Sequence, residues 1–414
     1  MSKLLVEEQY FKDIANAVRF KNKKNRQYLL SEIPSEIQNI LSIPQSINED
    51  VTTLNSINAK TVSIFIDYNS YVRNIKANTF MNHASLETVS FPVCTRIGAY
   101  AFDNCISLSY ASFPACTSIG TDAFGYCRKL TTASFPACIS IAYAAFWCCS
   151  ALTTASFPAC VNIGSCAFYY CSSLTTVSFP ACTSIGGSAF ADCSALTTAS
   201  FPVCTSIENG AFQNCTALTT VSFPACISIR ERAFYYCSAL TTASFPACTS
   251  IGSDAFYNCS ALTTASFPAC TSIEWSAFRY CTKLTTVSFS VCTYVREWAF
   301  ADCSALTTAS FPACISIGTG AFQNCYSLTV ASFPVCTNIG AYAFRECVSL
   351  ISIYLLGSSL VALYNSSVFN STPIGGYSKV AGQYGSIYVP ASLYSNYLNN
   401  TNWAYYSSRI VSVQ

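Results

Sequence analysis

Cysteine is the residue type in this sequence with the most evident chemistry. The chain has 26 cysteines among 414 residues, and 24 of them recur at one constant interval from Cys94 to Cys347. Disulfide-rich domains are usually small and space their cysteines irregularly, whereas a strict grid puts each cysteine in an equivalent structural position. We therefore expect stacked columns of buried thiols. Their first members are Cys94, Cys105, Cys116, Cys127, Cys138 and Cys149.

Three chemistries are open to such columns. Successive members would lie about 5 Å apart, which is close enough for a disulfide. Their Cα–Cβ bonds run side by side, however, so buried free thiols that donate weak hydrogen bonds to backbone carbonyls are favoured over disulfides. Metal binding is least favoured, because a linear column does not provide a tetrahedral ligand set. We predict no metal site and no cofactor.

Two cysteines lie off the grid. Cys148 and Cys166 occupy variable surface positions in adjacent repeats, where each can be a reactive thiol or the two can pair. The only histidine, His83, replaces a grid cysteine at the beginning of the repeats, and no second histidine exists for metal or relay chemistry. The repeat fixes no acid–base pair of carboxylates and contains no glycine-rich phosphate loop. We therefore predict that the protein is not an enzyme.

A leucine every 22 residues, from Leu86 to Leu350, marks the repeat that positions these cysteines. In the unit that begins at Leu130, Ala133 and Phe135 follow the leucine-rich-repeat spacing L-x-x-L-x-L. One turn cannot bury its apolar side alone, so we expect stacked turns. The predicted fold is an α/β solenoid of leucine-rich repeats, with one parallel β-sheet, short helical or 3-10 turns opposite it, and helical caps at both ends.

The exposed side of the predicted sheet has a regular pattern of hydroxyl groups. Thr132 and Ser134 alternate with Ala133, so their equivalents are expected to project from one face. Such an array can in principle order water or ice. A polar, β-forming surface without a specific role is the favoured interpretation.

The repeat resembles the BspA-like leucine-rich-repeat family. The shared pattern is Phe-Pro-x-Cys-x-x-Ile-Gly, then Ala-Phe-x-x-Cys, then a leucine that closes the turn, and it extends over roughly residues 60–375. The resemblance implies a microbial surface protein that binds host proteins or other cells, with no catalytic site in its repeats.

Both ends of the chain depart from the repeat. We predict an N-terminal helical cap over residues 1–59, a solenoid of about 13 turns over 60–350, and a degenerate turn with a C-terminal cap over 351–414. Within the last segment we expect a strand over Ser386–Val389 and one capping helix from Leu393 to Ile410. The N-terminal segment also resembles, over a short stretch, helical modules of phage tail and other virion-associated proteins.

Composition limits the partners and the location. Charged residues are 10% of the chain and the formal net charge is +2, so the sequence does not predict binding to nucleic acid or to anionic lipid. No apolar run approaches the length of a membrane helix, and Met1–Phe20 lacks the apolar core of a signal peptide. From the resemblance we expect a cell-surface, secreted or virion-associated protein without membrane insertion.

Five positions of each repeat vary, and we number them columns 1 to 5: the three residues after the Ser-Ile pair and the two after Ala-Phe. Between residues 86 and 349, 15 of 20 charged residues lie in these columns. Tyr and Trp make up more than a fifth of all the residues in the columns. Tyr, Trp and Arg are typical of binding hot spots, whereas unconstrained surface is usually small and polar. We therefore predict a binding face for a protein or glycan partner, formed by the variable Tyr, Trp, Arg and Asp columns. Its residues are Arg230, Arg232, Tyr235, Tyr236, Tyr257, Trp275, Arg279, Tyr280 and Trp298.

Two other interpretations remain open. The variable columns can be surface positions that packing does not constrain. Alternatively, the protein is a structural spacer or a self-assembling subunit of a virion or cell-surface assembly. A binder leaves the aromatic columns exposed in the isolated protein, whereas a structural subunit buries them in a self-interface.

Overall fold

The computed structural model describes residues 72–377 and 383–414, so the predicted N-terminal cap over residues 1–59 lies outside the described residues. The chain forms two compact units, Met1–Cys182 and Thr183–Gln414. Each unit is a parallel β-solenoid with the leucine-rich-repeat fold, and the turns of the two units together number about 15. The predicted boundary at residue 350 stays a prediction.

A three-residue strand opens each turn. In the turn that begins at Leu130 it is Thr132–Ser134, with Ala133 buried and both neighbours exposed, as alternation along a strand requires. This strand pairs in parallel with Thr154–Ser156 of the next turn. The equivalent strands of the first unit are Thr88–Ser90, Tyr110–Ser112, Thr132–Ser134, Thr154–Ser156 and Thr176–Ser178. Those of the second unit are Thr198–Ser200, Thr220–Ser222, Thr242–Ser244, Thr264–Ser266, Thr286–Ser288, Thr308–Ser310, Val330–Ser332 and Ser352–Tyr354.

A second strand, of two residues, follows in each turn and belongs to a different parallel sheet. Between the strands, the Cys138 N–H donates to the Phe135 carbonyl (3.1 Å) and closes a β-turn with Pro136 in its favoured second position. The prediction of one parallel sheet is therefore wrong, because this turn redirects the chain before Ser140–Ile141. In the first unit these strands are Asn74–Ile75, Arg96–Ile97, Ser118–Ile119, Ser140–Ile141 and Asn162–Ile163. In the second unit they are Ser184–Ile185, Ser206–Ile207, Ser228–Ile229, Ser250–Ile251, Ser272–Ile273, Tyr294–Val295, Ser316–Ile317, Asn338–Ile339 and Ala362–Leu363.

The return segment of each turn is a series of β-turns and not a helix. The Ala123 N–H donates to the Gly120 carbonyl (3.3 Å), and the Cys127 N–H donates to the Phe124 carbonyl (3.2 Å). The Phe124 N–H points out of its own turn and donates to the Ala145 carbonyl of the next one (2.8 Å). Alternate amides thus bond to the neighbouring turn, so a helical hydrogen-bond pattern cannot form. The predicted helical or 3-10 turns are wrong, since no residue between 72 and 377 is helical.

Two phenylalanines per turn fill the core. Phe124 stacks on Phe146 of the next turn with ring centroids 5.1 Å apart. It also packs edge-to-face with Phe135, with ring centroids 5.9 Å apart. Leu130 and Phe146 have no exposed surface, and Phe135 is 1% exposed. Stacked and edge-to-face pairs of this kind add about 0.5–1.5 kcal/mol each beyond the burial of their area. The core is therefore a set of continuous aromatic and aliphatic columns within each unit.

The C-terminal segment closes the second unit with several short elements. They are the strand Ser386–Pro390, the 3-10 helix Ala391–Leu393, the α-helix Tyr394–Asn399, the 3-10 helix Ala404–Arg409 and the strand Ile410–Val413. The single capping helix predicted from Leu393 to Ile410 is wrong. The α-helix ends at Asn399, before a run of Asn and Thr that are poor helix formers, and Trp403 then turns inward.

Side chains of this cap take the hydrogen bonds that a further turn would make. The Trp403 Nε1–H donates to the Val361 carbonyl (2.7 Å), and the Val361 N–H donates to the Tyr397 hydroxyl (3.3 Å). The Phe369 N–H donates to the Tyr406 hydroxyl (3.4 Å), a bond that the next turn supplies elsewhere in the repeat. The sheet of two-residue strands therefore ends at Ala362–Leu363 without a further strand, whereas Ser352–Tyr354 pairs in parallel with Ser386–Pro390, which pairs with Ile410–Val413.

Candidate recognition site

The grid cysteines are buried free thiols in two kinds of hydrogen bond. Cys138 donates to the Ser140 carbonyl within its own turn (Sγ–O 3.3 Å), whereas Cys149 donates to the Phe124 carbonyl of the preceding turn (3.1 Å). Burial raises the pKa of the Cys94 thiol to about 11 and that of Cys105 to about 12. A protonated, buried thiol is a poor nucleophile. These columns are therefore packing and hydrogen-bonding groups.

The two off-grid cysteines are half-buried and also free. Burial raises the pKa of the Cys148 thiol, although Arg128 acts in the opposite direction. Burial likewise raises the pKa of Cys166, whose thiol is hydrogen-bonded with the Tyr143 hydroxyl. Reactive cysteines have a lowered pKa, so the raised pKa of these thiols disfavours reactivity. That they react or pair stays a prediction.

His83 lies half-buried at the beginning of the described turns, edge-to-face with Phe80, and their ring centroids are 6.1 Å apart. Among residues 72–377 and 383–414, no group of three or more His, Cys, Asp or Glu side chains is placed to hold a metal ion. The surface also contains the variable columns, and some of their residues have an unusual backbone conformation with positive φ.

Columns 3 and 5 have positive φ in every described repeat turn from Asn78 to Glu346, between 48° and 64°. Each is the third residue of a β-turn, where a left-handed residue is required and Gly or Asn is favoured. Column 3 contains Asn78, Tyr100, Asp122, Ala144, Cys166, Ser188, Gly210, Arg232, Asp254, Ser276, Trp298, Gly320 and Tyr342. Column 5 contains Asn82, Asn104, Tyr126, Cys148, Tyr170, Asp192, Asn214, Tyr236, Asn258, Tyr280, Asp302, Asn324 and Glu346.

Many residues in these columns are not those that the backbone prefers. Of the 26 positions, two are glycine and six are asparagine, whereas seven are Tyr or Trp. The left-handed conformation costs an ordinary L-residue roughly 1–2 kcal/mol. Bulky side chains at such positions therefore oppose folding stability, and backbone strain of this kind is typical of functional sites.

The structure brings four of the predicted tyrosines together. Tyr235 stacks on Tyr257 of the next turn with centroids 5.0 Å apart, and Tyr236 lies 4.6 Å from Tyr235. Tyr280 continues the cluster in an edge-to-face arrangement with Tyr257, with ring centroids 5.3 Å apart. Burial raises the pKa of Tyr235 and of Tyr257, so their hydroxyls stay protonated donors at neutral pH. We call these four residues the tyrosine cluster.

Two arginines are fixed against this cluster. The Arg279 guanidinium lies 4.8 Å from the Tyr280 ring centroid and 3.2 Å from a carboxylate oxygen of Asp302. Arg232 lies 5.7 Å from the Tyr235 ring centroid and 3.4 Å from a carboxylate oxygen of Asp254. Both arginines are thus held between an aromatic ring and a carboxylate of the next turn. The two aspartates thus adjoin the candidate site; the sequence pointed to aspartate in the variable columns but not to these two residues.

The remaining predicted residues lie in columns 1 to 3. Arg230 is exposed, Trp275 is 55% exposed and Trp298 is 37% exposed. The indole of Trp298 covers Gly320 of the next turn, where an added Cβ would lie 2.5 Å from its Cδ1 and Nε1. No aromatic contact within the described residues joins Trp275 or Trp298 to the tyrosine cluster. The predicted face therefore has two parts. One is the tyrosine cluster, and the other consists of Trp275 and Trp298, which we call the tryptophan pair.

The first unit has an aromatic cluster of its own that sequence reasoning missed. Trp147 lies 5.2 Å from Tyr126 and 6.4 Å from Tyr169, and Tyr169 lies 4.5 Å from Tyr170. All four residues occupy columns 4 and 5. Tyr and Trp are thus enriched in the variable columns of the first unit too. The predicted face covers only the stretch richest in Tyr, Trp and Arg, which lies in the second unit.

The fold and the variable columns define a leucine-rich-repeat protein. The chain belongs to the BspA-type family, because the BspA type leucine rich repeat region, in six copies, matches residues 73–197, 161–281 and 249–374. The resemblance seen in the sequence is thus confirmed. Leucine-rich-repeat proteins are generally protein-binding and typically non-enzymatic.

Several solved structures are similar to this chain. A leucine-rich repeat protein from Bacteroides ovatus is 23% identical, covers 83% of this chain and 88% of its own, and has a TM-score of 0.64. A leucine rich cell surface protein from Faecalibacterium prausnitzii is 26% identical over 70% of this chain and 84% of its own, with a TM-score of 0.42. The pneumococcal vaccine antigen PcpA is 14% identical over 83% of this chain and 85% of its own, with a TM-score of 0.45.

No curated protein matches the chain. In the described part of the chain, no helix combines the length and the apolar character that crossing a bilayer requires.

Proposed function

We propose that the protein is a non-enzymatic recognition or adhesion protein, which binds a protein or glycan partner through the tyrosine cluster and the tryptophan pair. The observation that carries this proposal is the left-handed backbone of Arg232, Tyr236, Tyr280 and Trp298. Glycine or asparagine would stabilise the fold at these positions. Large side chains kept there against that preference indicate a role outside the fold.

Rigidity supports the same proposal. The stacked rings of Tyr235 and Tyr257 and the paired guanidinium of Arg279 are held in place before any partner arrives. Binding therefore costs little side-chain entropy, as in matured antibody paratopes.

Charge favours a protein partner over a polyanion. Between residues 228 and 302 there are five basic and five acidic residues, so the net charge of the four turns is zero. Arg232 and Arg279 are already paired with carboxylates. A nearly neutral surface of aromatic rings and paired charges is typical of protein interfaces, whereas nucleic-acid sites are strongly basic. A cell-surface, secreted or virion-associated location belongs to this proposal.

The test compares the full chain with a variant built from its own residues. Trp275→Ser, Tyr280→Asn and Trp298→Ser introduce what the same columns contain at Ser253, Asn258 and Ser188. Both proteins are applied to arrays of extracellular proteins and of glycans. We expect binding to an array member and a loss of at least about 30-fold in affinity in the triple variant, as for hot spots of about 2 kcal/mol or more.

The control variant removes exposed apolar surface elsewhere in the same unit. Tyr326→Thr and Ile315→Thr restore the threonines found five turns earlier, at positions 216 and 205, and should leave the affinity unchanged. Absence of binding to either array, or equal binding by the triple variant, would overturn the proposal. Light scattering with and without reductant tests the structural alternative: a reductant-insensitive oligomer that the triple variant dissociates would favour self-assembly.

A further inference from the structure

The aromatic cluster of the first unit is continuous across three turns. Between ring centroids, Tyr126 lies 5.2 Å from Trp147, Trp147 lies 6.4 Å from Tyr169, and Tyr169 lies 4.5 Å from Tyr170. Tyr126 and Tyr170 have a left-handed backbone, with φ of 55° and 58°. Large side chains at such positions oppose folding stability, as they do in the second unit. We call these four residues the first-unit cluster.

An arginine lies against one end of this cluster. The Arg128 guanidinium is 5.5 Å from the centroid of the Tyr126 ring, a cation–π contact. It is also close enough to Cys148, which follows Trp147, to oppose the rise in the pKa of that thiol. The guanidinium therefore lies beside column 5 of two successive turns.

Arg128 differs from the arginines of the tyrosine cluster in its lack of a carboxylate partner. Arg232 and Arg279 each pair with an aspartate of the next turn. Over the residues that the structure describes, no carboxylate lies within ion-pair distance of Arg128. The N–H groups of its guanidinium are therefore available to an anion from outside.

Positive charge is in excess around the first-unit cluster. Residues 123–191 contain two charged side chains, Arg128 and Lys129, and both are exposed. Asp122, just before this stretch, is buried, and its carboxylate is hydrogen-bonded with a tyrosine hydroxyl of the preceding turn. The candidate face of the second unit, in contrast, has equal numbers of acidic and basic residues. The two aromatic surfaces therefore differ in the charge of the partner that they favour.

A second group of this cluster also lacks a partner. The indole N–H of Trp147 is buried and has no hydrogen-bond acceptor in the described part of the chain. Buried donors in folded proteins are nearly always paired, because an unpaired one destabilises the fold. An oxygen of a bound molecule that enters beside the indole would supply the acceptor.

The partner's chemistry follows from these two unpaired donors and from the tilt of the rings. Neighbouring rings are inclined by 46°, 41° and 71°, so they do not form one flat face on which a sugar ring stacks. A peptide offers both acceptors, a side-chain carboxylate for the guanidinium and a backbone carbonyl for the indole N–H. Two basic residues are too few for a nucleic-acid site.

We propose that the first-unit cluster, together with Arg128 and Lys129, binds an acidic segment of a partner protein. A carboxylate of that segment pairs with Arg128, and its apolar side chains pack against the aromatic rings. This site lies in the other unit from the tyrosine cluster and the tryptophan pair, and does not depend on the function proposed for them.

The test applies the full chain to an array of short capped peptides with Asp or Glu among aromatic and aliphatic residues. Each peptide is paired with its Asn or Gln counterpart, and sialylated and sulfated oligosaccharides form a parallel array. We expect saturable binding to acidic peptides, at least about tenfold weaker binding to their amide counterparts, and weakening between about 0.05 and 0.5 M salt.

Two variants built from residues of the chain itself remove the unpaired donors. Arg128→Ser introduces the residue found one turn later at Ser150, and should weaken peptide binding at least about tenfold. Its side chain is exposed, so the melting temperature should stay unchanged. Trp147→Ala introduces the residue found two turns later at Ala191, and should also weaken binding.

Two control variants make the outcome specific. Lys283→Ala removes one positive charge at the position equivalent to Lys129, seven turns later, and should bind the peptides normally. The triple variant Trp275→Ser, Tyr280→Asn, Trp298→Ser should do so as well.

Four results would overturn the proposal: no bound acidic peptide, equal binding of the amide counterparts, full affinity in Arg128→Ser, or an equal loss in Lys283→Ala. Binding of acidic oligosaccharides without binding of peptides would also contradict it. Loss in the triple variant alone would overturn it too, while supporting the function proposed for the second unit.

Discussion

Two stretches of the second unit share one scaffold and present different surfaces. Residues 189–202 and 299–312 are identical in sequence and lie five turns apart. In each, an asparagine of the next turn donates to the aspartate of the stretch, from Asn214 to Asp192 (2.9 Å) and from Asn324 to Asp302 (2.7 Å). This hydrogen bond is therefore the same in the two copies, although Asp302 also accepts one from Arg279, whose counterpart five turns earlier is Tyr169.

The residues just before these stretches do not match. The first copy has Gly-Gly-Ser at 186–188, and the second has Arg-Glu-Trp at 296–298. The third of these residues is left-handed in both copies, with φ of 53° at Ser188 and 52° at Trp298. The same backbone conformation thus presents a small serine side chain in the first copy and an exposed indole in the second. The scaffold and the variable columns can be changed independently.

Alkaline pH is expected to have the largest effect, because both copies contain buried thiols. Burial raises the pKa of Cys204 to about 11 and of the corresponding Cys314 to about 12, from the ordinary 9.0. Folded thiols thus hold their protons more tightly than unfolded ones. Their stabilisation is complete below pH about 9 and is lost as the pH rises toward 11–12. Circular dichroism under reductant, from pH 7 to 12, should show cooperative unfolding above pH 9.

Exchanging the variable residues of the second copy tests whether the thiols alone cause this unfolding. Replacing 296–298 by Gly-Gly-Ser should leave the alkaline midpoint unchanged, because the thiol columns are the same. A midpoint shifted by about one pH unit or more would mean that the variable columns contribute to the scaffold after all.

Removal of a core ring should destabilise both copies alike. Phe212 stacks on Phe234 at 5.4 Å, and the equivalent Phe322 stacks on Phe344 at 5.4 Å. Each change to alanine is expected to cost about 3–5 kcal/mol in the free energy of unfolding, because the neighbouring rings cannot close the cavity. Urea unfolding of the two variants gives the comparison. Clearly unequal losses would contradict the equivalence of the two scaffolds.

Glycine substitution should separate the copies by a smaller amount. Gly210 and Gly320 are both left-handed, so alanine costs each about 1 kcal/mol. A Cβ at Gly210 would lie 3.3 Å from the Ser188 hydroxyl, but at Gly320 it would lie 2.5 Å from the Trp298 indole. Gly320→Ala must therefore also displace Trp298, and should lower the melting temperature more than Gly210→Ala.

A double variant tests the cause of that difference. In the Trp298→Ser background, Gly320→Ala should cost no more than Gly210→Ala, because the indole that the new Cβ meets is gone. A difference that persists in this background would assign the extra cost to the backbone and not to Trp298.

The repeat made most of the fold predictable. The regularly recurring leucine and the apolar residues at Ala133 and Phe135 were sufficient to predict parallel stacking and the buried face of the first strand. The second sheet was not predicted, although Ile141 falls one residue later than the repeat signature places it. That extra residue allows the Phe-Pro-Ala-Cys turn to end before a new strand begins. Helical return segments were expected by analogy, and the left-handed residues of columns 3 and 5 cannot be read from side-chain types as varied as Tyr, Cys and Arg.

The candidate site was predictable only in outline. Column composition selected Tyr235, Tyr257 and Tyr280, and the structure places these rings in contact. The carboxylates of Asp254 and Asp302 were missed because each pairs with an arginine of the preceding turn, a relation that depends on the register between turns.

The alternate amides of the return segments also have a mechanical consequence. Each turn is bonded mainly to the turns directly before and after it, along both sheets and the return segment. A pulled chain end therefore loads the bonds of one turn at a time, and these bonds break together. One repeat turn releases about 75 Å of extended chain while giving up roughly 5 Å of stack height. Under tension, the chain is therefore expected to extend in equal steps as successive repeat turns unfold.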